Sequence, residues 1–223
     1  MYREWATGLA GAVAWSRAVD EPQTHRILPD GCLDLIWSDG RLLVAGPDTT
    51  AHEMSSPAGR VYTGLRFVPG TGPSVFGVPA HELRDSRVPL DQIWPQRLVD
   101  GLTARVSDAS DRAAVLLDIA RPRIRVDPVI VAVVAGLRAG RAVSVVADEV
   151  GLSERQLLRR SLAAFGYGPK TLARVLRMER ALALAARGVA AAEVAVSTGY
   201  ADQAHLSREV KALAGVPLTS LAS

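Results

Sequence analysis

Cysteine is nearly missing from this chain of 223 residues: Cys32 stands alone. No intrachain disulfide can form, and a reducing interior, the cytoplasm, is the expected setting. No apolar stretch reaches the ~18 residues of a membrane span, so no membrane partner is expected. The opening "MYREWATGLAGAVAW" holds an arginine, a glutamate and no sustained apolar region, and does not read as a secretory signal. Low-complexity tracts are absent too. A hydrophobic content of 48% describes a globular chain, long enough for one large domain or two small ones.

Lysine is also scarce, since 24 of the 26 basic residues are arginine. Residues 1–120 hold 11 Lys/Arg against 15 Asp/Glu, a net of −4, whereas residues 121–223 hold 15 against 8, a net of +7. An acidic half joined to a basic half suggests that only the second meets a polyanion. Drift in an arginine-rich composition is the plainer reading, and charge alone does not separate the two.

The acidic half reads as β-rich. "CLDLIW" (Cys32–Trp37) is followed by "SDGR" (Ser38–Arg41) and then "LLVAG". An Asp-Gly pair between apolar runs is a strong hairpin signal, because a primed turn needs φ > 0 at both central residues. "RVYTGLRFVPGTGP" (Arg60–Pro73) reads as a further strand ending in a Pro/Gly turn. From about residue 91 to residue 120 the apolar spacing becomes helical. "RPRIRVDP" (Arg121–Pro128) interrupts it with two prolines and reads as a linker.

Within the basic half, residues 129–223 read as helical and contain a repeat. "VADEVGLSERQLLRR" and "VAVSTGYADQAHLSRE" align Ala147 with Ala195 and Gly151 with Gly199, both 48 residues apart. The next leucine comes six positions after the first glycine (Leu157) and seven after the second (Leu206), so the second turn is one residue longer. Allowing for that, Arg159 matches Arg208. A small residue lets a second helix cross closely, and glycine ends its helix in the left-handed conformation. Ser153 with Gln156 forms an S-x-x-Q capping box, and Asp202 is the cap of the second copy. Each copy is a helix-turn-helix. Between them, Pro169 to Arg187 predicts a helix of 19 residues, about 29 Å long, with Lys170, Arg174 and Arg177 available to touch phosphates. Major grooves on one face of B-DNA recur every ~34 Å, so such a rod could seat two reading helices in successive grooves.

These residues resemble the AraC/XylS-type transcriptional regulators. "GYADQAHLSREVKALAGVPL" is similar to that family's C-terminal signature and "VADEVGLSERQLLRRSLAAFGYGP" to its first unit, over roughly Asp127–Leu218. "ILPDGCLDLIW", "VAGPDT" and "LRFVPG" resemble a β-rich domain found ahead of such units in some members. The resemblance implies base-edge contacts from Arg155, Gln156 and Arg159 in the first reading helix, and from Gln203, Ala204, His205 and Arg208 in the second. Arg160, Lys170, Arg174, Ser207 and Lys211 fall to the DNA backbone. Arginine can pair with guanine, glutamine with adenine, and alanine can meet a thymine methyl. Val210, Ser161 and Leu218 depart from the usual pattern, the first two by filling the cores less.

The expected fold is therefore α+β in two domains: a β-rich, barrel- or sandwich-like domain with trailing helices (1–120), a linker (121–128) and an all-α double helix-turn-helix domain. The expected function is sequence-specific regulation of transcription, with double-stranded DNA as partner and RNA polymerase as a further candidate. The chain would act as monomer or homodimer. The N-terminal domain reads as a ligand-sensing or dimerising module, with Trp15, Trp37, Tyr62 and Phe67 as candidate pocket residues against the plainer reading of ordinary core. The rival is a thiol- or metal-dependent enzyme fused to the DNA-binding domain. Cys32, His25 and Asp34 would supply its nucleophile and base, but no oxyanion motif accompanies them, and Cys32 and Asp34 share a strand face. His25, Cys32, His52 and His81 match no short zinc spacing. No cofactor is expected.

Overall fold

The computed structural model describes residues 1–221. The N-terminal region runs β1 (Tyr2–Ala6), β2 (Ala12–Ala18), β3 (Gln23–Ile27), β4 (Leu33–Ser38), β5 (Arg41–Ala45), β6 (His52–Ser56) and β7 (Val61–Phe67). After these come α1 (Gly72–Phe76), a 3₁₀ turn at Ala80–Glu82, β8 (Arg87–Pro89), α2 (Gln96–Asp108) and α3 (Arg112–Ala120). Six strands form one antiparallel sheet in the order β1-β2-β7-β4-β5-β8, while β3 and β6 pair separately as a ribbon. The Asp39–Gly40 turn joins β4 to β5 with both residues at positive φ, 48° and 70°, as a primed hairpin requires.

The two-residue period gives the six-stranded sheet two unlike faces. Leu33, Leu35, Trp37, Leu65 and Phe67 point one way and are buried against α1, α2 and α3, where Phe76, Leu102, Val106 and Leu116 complete the core. Each such side chain contributes roughly 1.5–3 kcal/mol of burial. Their alternates, among them Trp15, Asp34, Ile36, Leu43, Tyr62 and Arg66, face a cavity whose other walls include the β3–β6 ribbon. Gly64 makes that face possible: a Cβ there would stand 2.4 Å from the Trp15 ring, which lies across it.

Residues 121–127 are held to the N-terminal region, with the Arg125 N–H donating to Ser74 Oγ at 3.0 Å and Ile124 packed on the core. Six helices follow: α4 (Pro128–Arg138), α5 (Val143–Glu149), α6 (Glu154–Phe165), α7 (Pro169–Ala185), α8 (Ala191–Thr198) and α9 (Gln203–Ala214). They make two three-helix units with separate cores. Val133, Val146, Leu157 and Phe165 lie in the first, and Val194, Tyr200, Leu206 and Val210 in the second. The α7 helix belongs to both: Leu172, Val175 and Leu176 enter the first core, Met178 and Ala181 the second. It has 17 residues, not the 19 expected, because residues 186–188 turn back around Gly188 at φ 81°. Its length is about 26 Å.

Candidate DNA-reading helices and the cavity beside them

The repeat is reproduced in hydrogen bonds. In the first unit Gly151 takes φ 67° and the Leu152 N–H donates to Ala147 O at 2.9 Å. In the second, Gly199 takes φ 82° and the Tyr200 N–H donates to Ala195 O at the same distance. Both are left-handed helix endings of the kind the spacing predicts. The extra residue sits before the second cap, so Ser153 and Asp202 start α6 and α9 on positions 49 apart. Ser153 accepts from the Gln156 N–H while Gln156 Oε1 accepts from the Ser153 N–H, closing the capping box. Asp202 accepts from the His205 N–H at 2.6 Å. From there the two helices bury equivalent positions: Leu157 and Leu206, Ser161 and Val210, Ala164 and Leu213. The Ser161 hydroxyl, with no exposed surface, finds no hydrogen-bond partner among the described residues.

Arg155, Gln156 and Arg159 on α6 and Gln203, Ala204 and Arg208 on α9 are exposed, as are Arg160, Lys170, Ser207 and Lys211. Three side chains of the expected set are already engaged. Gln156 spends its carbonyl oxygen on the capping box. His205 turns toward its own turn, accepting from the Ala201 N–H at 3.2 Å and lying edge-on to Tyr200. Arg174 forks onto Glu209 of α9, at 2.7 and 3.3 Å. Farther along α7, Arg177 lies over the Tyr200 ring and Arg180 donates to Thr198 O. The arginines of α7 thus hold the second unit against the helix that carries it.

The N-terminal region meets the C-terminal ends of both α6 and α9. Arg84 donates to Gly166 O at 3.4 Å, just past the end of α6. Arg26 donates to Ala214 O at 3.2 Å, and the Ala51 N–H to Leu213 O at 2.7 Å, in the last turn of α9. Carbonyls left without an intrahelical partner are satisfied in this way.

Arg26 also lines the cavity, which encloses about 1050 Å³ between the six-stranded sheet, the ribbon and Met178, Glu179 and Leu182 of α7. Trp15 and Tyr62 line it, as the sequence suggests; Trp37 and Phe67 do not. Those two sit one residue out of phase, on the opposite face of the sheet. Trp37 donates to Ser107 Oγ at 3.3 Å under the Arg112 guanidinium, and Phe67 packs edge-on against Phe76. At one end of the cavity Asp30, Cys32, Asp34, Arg66 and Glu179 come together. The Trp15 Nε1–H donates to Asp34 at 2.6 Å. Burial pushes the Asp34 carboxyl up to about 6 against the pull of Arg66, and Glu179 up to about 7, with Asp30 adding to the effect. Burial, then Asp30 and Asp34, raise the Cys32 thiol well above its usual range. It stays protonated at neutral pH, which does not suit a nucleophile. Among the described residues no three His, Cys, Asp or Glu side chains converge as metal ligands. Sequence reasoning missed Asp30, Arg66 and Glu179. The available signal was a charged residue at an inward strand position and another on a helix face beside Met178.

Residues 146–222 match the family described as Helix-turn-helix domain, and residues 11–89 match a Domain of unknown function (DUF6597). No curated relative matches the chain. Among solved structures the chain is similar to ToxT from Vibrio cholerae. An apo variant is 12% identical over 99% of this chain and 98% of that one, with a TM-score of 0.51. ToxT of strain O395 is 10% identical over 95% and 97%, with a TM-score of 0.50. Wild-type ToxT bound to an unsaturated fatty acid is 8% identical over 96% and 95%, also with a TM-score of 0.50. At these identities the likeness is one of fold. Among the described residues no helix is long and apolar enough to cross a membrane. The C-terminal region of the chain is a helix-turn-helix domain of the AraC type, set behind an N-terminal β-rich domain, and the chain shares its two-domain fold with ToxT.

Proposed function

We propose that the chain is a sequence-specific transcriptional regulator of the cytoplasm whose helices α6 and α9 enter successive major grooves of one DNA duplex. The observation that carries this reading is the pair of equivalent exposed helices fixed to one shared rod, α7, through two separate cores. Arg155 and Arg159 on α6, with Gln203, Ala204 and Arg208 on α9, present base-reading chemistry without rearrangement. Gln156 and His205 read bases with the polar atoms their local bonds leave over. Arg160, Lys170, Ser207 and Lys211 meet phosphates, and Arg174 does so while braced on Glu209. One chain carries both reading helices, so a monomer suffices for a site, and a homodimer would double it. RNA polymerase is a further partner of such a regulator.

A small molecule in the cavity modulates DNA binding under this reading. Two connections favour it: Arg26 reaches from the cavity wall to the end of α9, and α7 supplies Met178, Glu179 and Leu182 to the same wall. One of the ToxT structures holds a fatty acid; here the cavity would hold a small molecule suited to its own chemistry. A thiol-dependent enzyme is disfavoured, since the one thiol of the chain is buried and held neutral. Selection from random duplex DNA with the full chain tests the reading. One recurrent sequence should be enriched, and its affinity should fall steeply with salt, with a log–log slope of roughly −0.9 per phosphate contacted. No enriched sequence, or binding indifferent to salt, would overturn it.

A further inference from the structure

We propose that the cavity takes an organic cation, an amine-bearing molecule whose charged head lies among Asp34, Asp30 and Glu179 and whose apolar body lies along Trp15, Ile36 and Leu43. The inference rests on the effector reading above and names the chemistry of the effector.

The sheet register sorts the cavity into bands. Arg66 and Asp34 pair across β7 and β4 at one end. Two residues along each strand, Trp15, Gly64, Ile36 and Leu43 form an apolar row, closed at its β1 edge by Glu4. Two further along come Arg17, Tyr62, Ser38 and Arg41, about 13 Å from the Asp34 row at the ordinary strand rise. A ligand lying along the strands therefore has a charged end, an apolar middle about 7 Å on, and a second polar rim.

The charged end has more carboxylates than cations. Glu4, Asp30 and Asp34 share the guanidinium of Arg66, at 3.5, 3.4 and 3.6 Å, and Arg66 Nε makes no hydrogen bond among the described residues. Glu179 adds a fourth carboxylate, whose ion-pair partner, Arg138, is half exposed and 3.6 Å away. Arg87, which continues the Asp34 row beyond Ala45, is matched by Asp48 at 2.6 Å, and elsewhere on the wall Arg60 pairs with Asp39 at 2.7 Å and Arg26 with Glu53 at 2.6 Å. Arg17 and Arg41 have no ion pair among the described residues, but they stand at the far rim.

A second observation points to the same place. The Tyr167 hydroxyl is buried near Asp30, Cys32 and Glu179 and has no hydrogen-bond partner among the described residues. It lies 3.3 Å from where a Cβ on Gly31 would stand, at the turn between Asp30 and Cys32. Tyr167 stands behind that turn and not on the cavity wall, so its oxygen would accept only from an ammonium that reaches past the turn, while the carboxylates take the other protons. A bare metal ion fits less well: among the described residues no three carboxylate, His or Cys groups are close enough to ligate one, whereas an ammonium bonds carboxylates at about 2.7–2.9 Å. The Trp15 and Tyr2 rings, 6.1 Å apart, extend the apolar band and offer π-faces that favour a cation over an anion.

Calorimetric titration of the full chain with matched probes tests this: tryptamine against indole-3-propionate, and decylamine against decanoate. Each amine should bind at least tenfold more tightly than its acid. Asp34→Asn and Glu179→Gln should each cost the amine at least tenfold, and Glu193→Gln, an exposed change on α8, should cost nothing. Should Asp34→Asn fail to fold, Glu179→Gln and Tyr167→Phe carry the comparison. Tighter binding of the acids, lost in Arg17→Ala, would overturn the cation and leave the effector reading standing. Failure of all four probes to bind would also overturn the proposal. DNA affinity measured on the same samples separates either result from failure of the regulator itself.

Discussion

Replacing Gly64 by alanine places a methyl group 2.4 Å from Cε2, 2.5 Å from Cζ2 and 2.7 Å from Nε1 of Trp15. Ordinary contact needs about 3.5 Å between carbon atoms, so the indole must lift by roughly 1 Å toward the cavity. Overpacking of this kind costs about 1–3 kcal/mol. The lift also stretches the 2.6 Å bond from Nε1 to Asp34, leaving a buried carboxylate with one donor fewer at a further cost of about 1 kcal/mol. The expected total is about 3 kcal/mol, or a fall in Tm of roughly 6–12 °C for a chain of this size. Scanning calorimetry reads it directly, and the tryptophan emission should shift as one indole leaves its bond. Gly101→Ala is the matched control. Gly101 lies inside α2, and nothing stands within 4 Å of its added methyl. It should gain up to about 1 kcal/mol, because alanine is the better helix former. If Gly64→Ala melts with the wild type and Gly101→Ala does not rise, the assigned roles of both glycines are wrong.

Two further outcomes follow from buried polar groups. Ser161→Ala should be neutral or stabilising by about 1 kcal/mol in urea unfolding, since it removes a buried hydroxyl that bonds to nothing among the described residues; a loss above 1 kcal/mol would mean the hydroxyl has a partner. The carboxyls of Asp34 and Glu179 are raised by folding, from 3.8 to about 6 and from 4.5 to about 7. Between those limits the folded chain holds protons that the unfolded chain has released, so stability should fall as pH rises from about 4 to about 7 and then level off. Asp34 alone accounts for about 3 kcal/mol of that fall, and Asp34→Asn should flatten the profile. A stability that rises across this range would contradict the burial of both groups.

The helical half was legible because its punctuation is local. Gly151, Gly199, Ser153 and Asp202 act on bonds within five residues, so their spacing alone marks the turns and caps. The Asp39–Gly40 hairpin is visible for the same reason. Strand β2 carries little such signal: "GLAGAVAWSRA" is rich in alanine and glycine, and its partner β7 lies some fifty residues away. The cavity depended on phase. Trp15 and Tyr62 were recognisable as candidates, but separating them from Trp37 and Phe67 needed the register that sends odd and even positions of β4 to opposite faces. The acidic end was further hidden because Glu179 comes from another domain, nearly 150 residues beyond Asp34.

The central claim is that α6 and α9 read separate stretches of one site. The most direct measurement compares the selected DNA sequences of the full chain with those of Arg159→Ala and Arg208→Ala. Each change should cost about 1–3 kcal/mol and relax preference at its own base pairs, the two sets lying about 10 base pairs apart. Loss of preference at the same positions in both variants, or equal weakening on every sequence, would contradict the account.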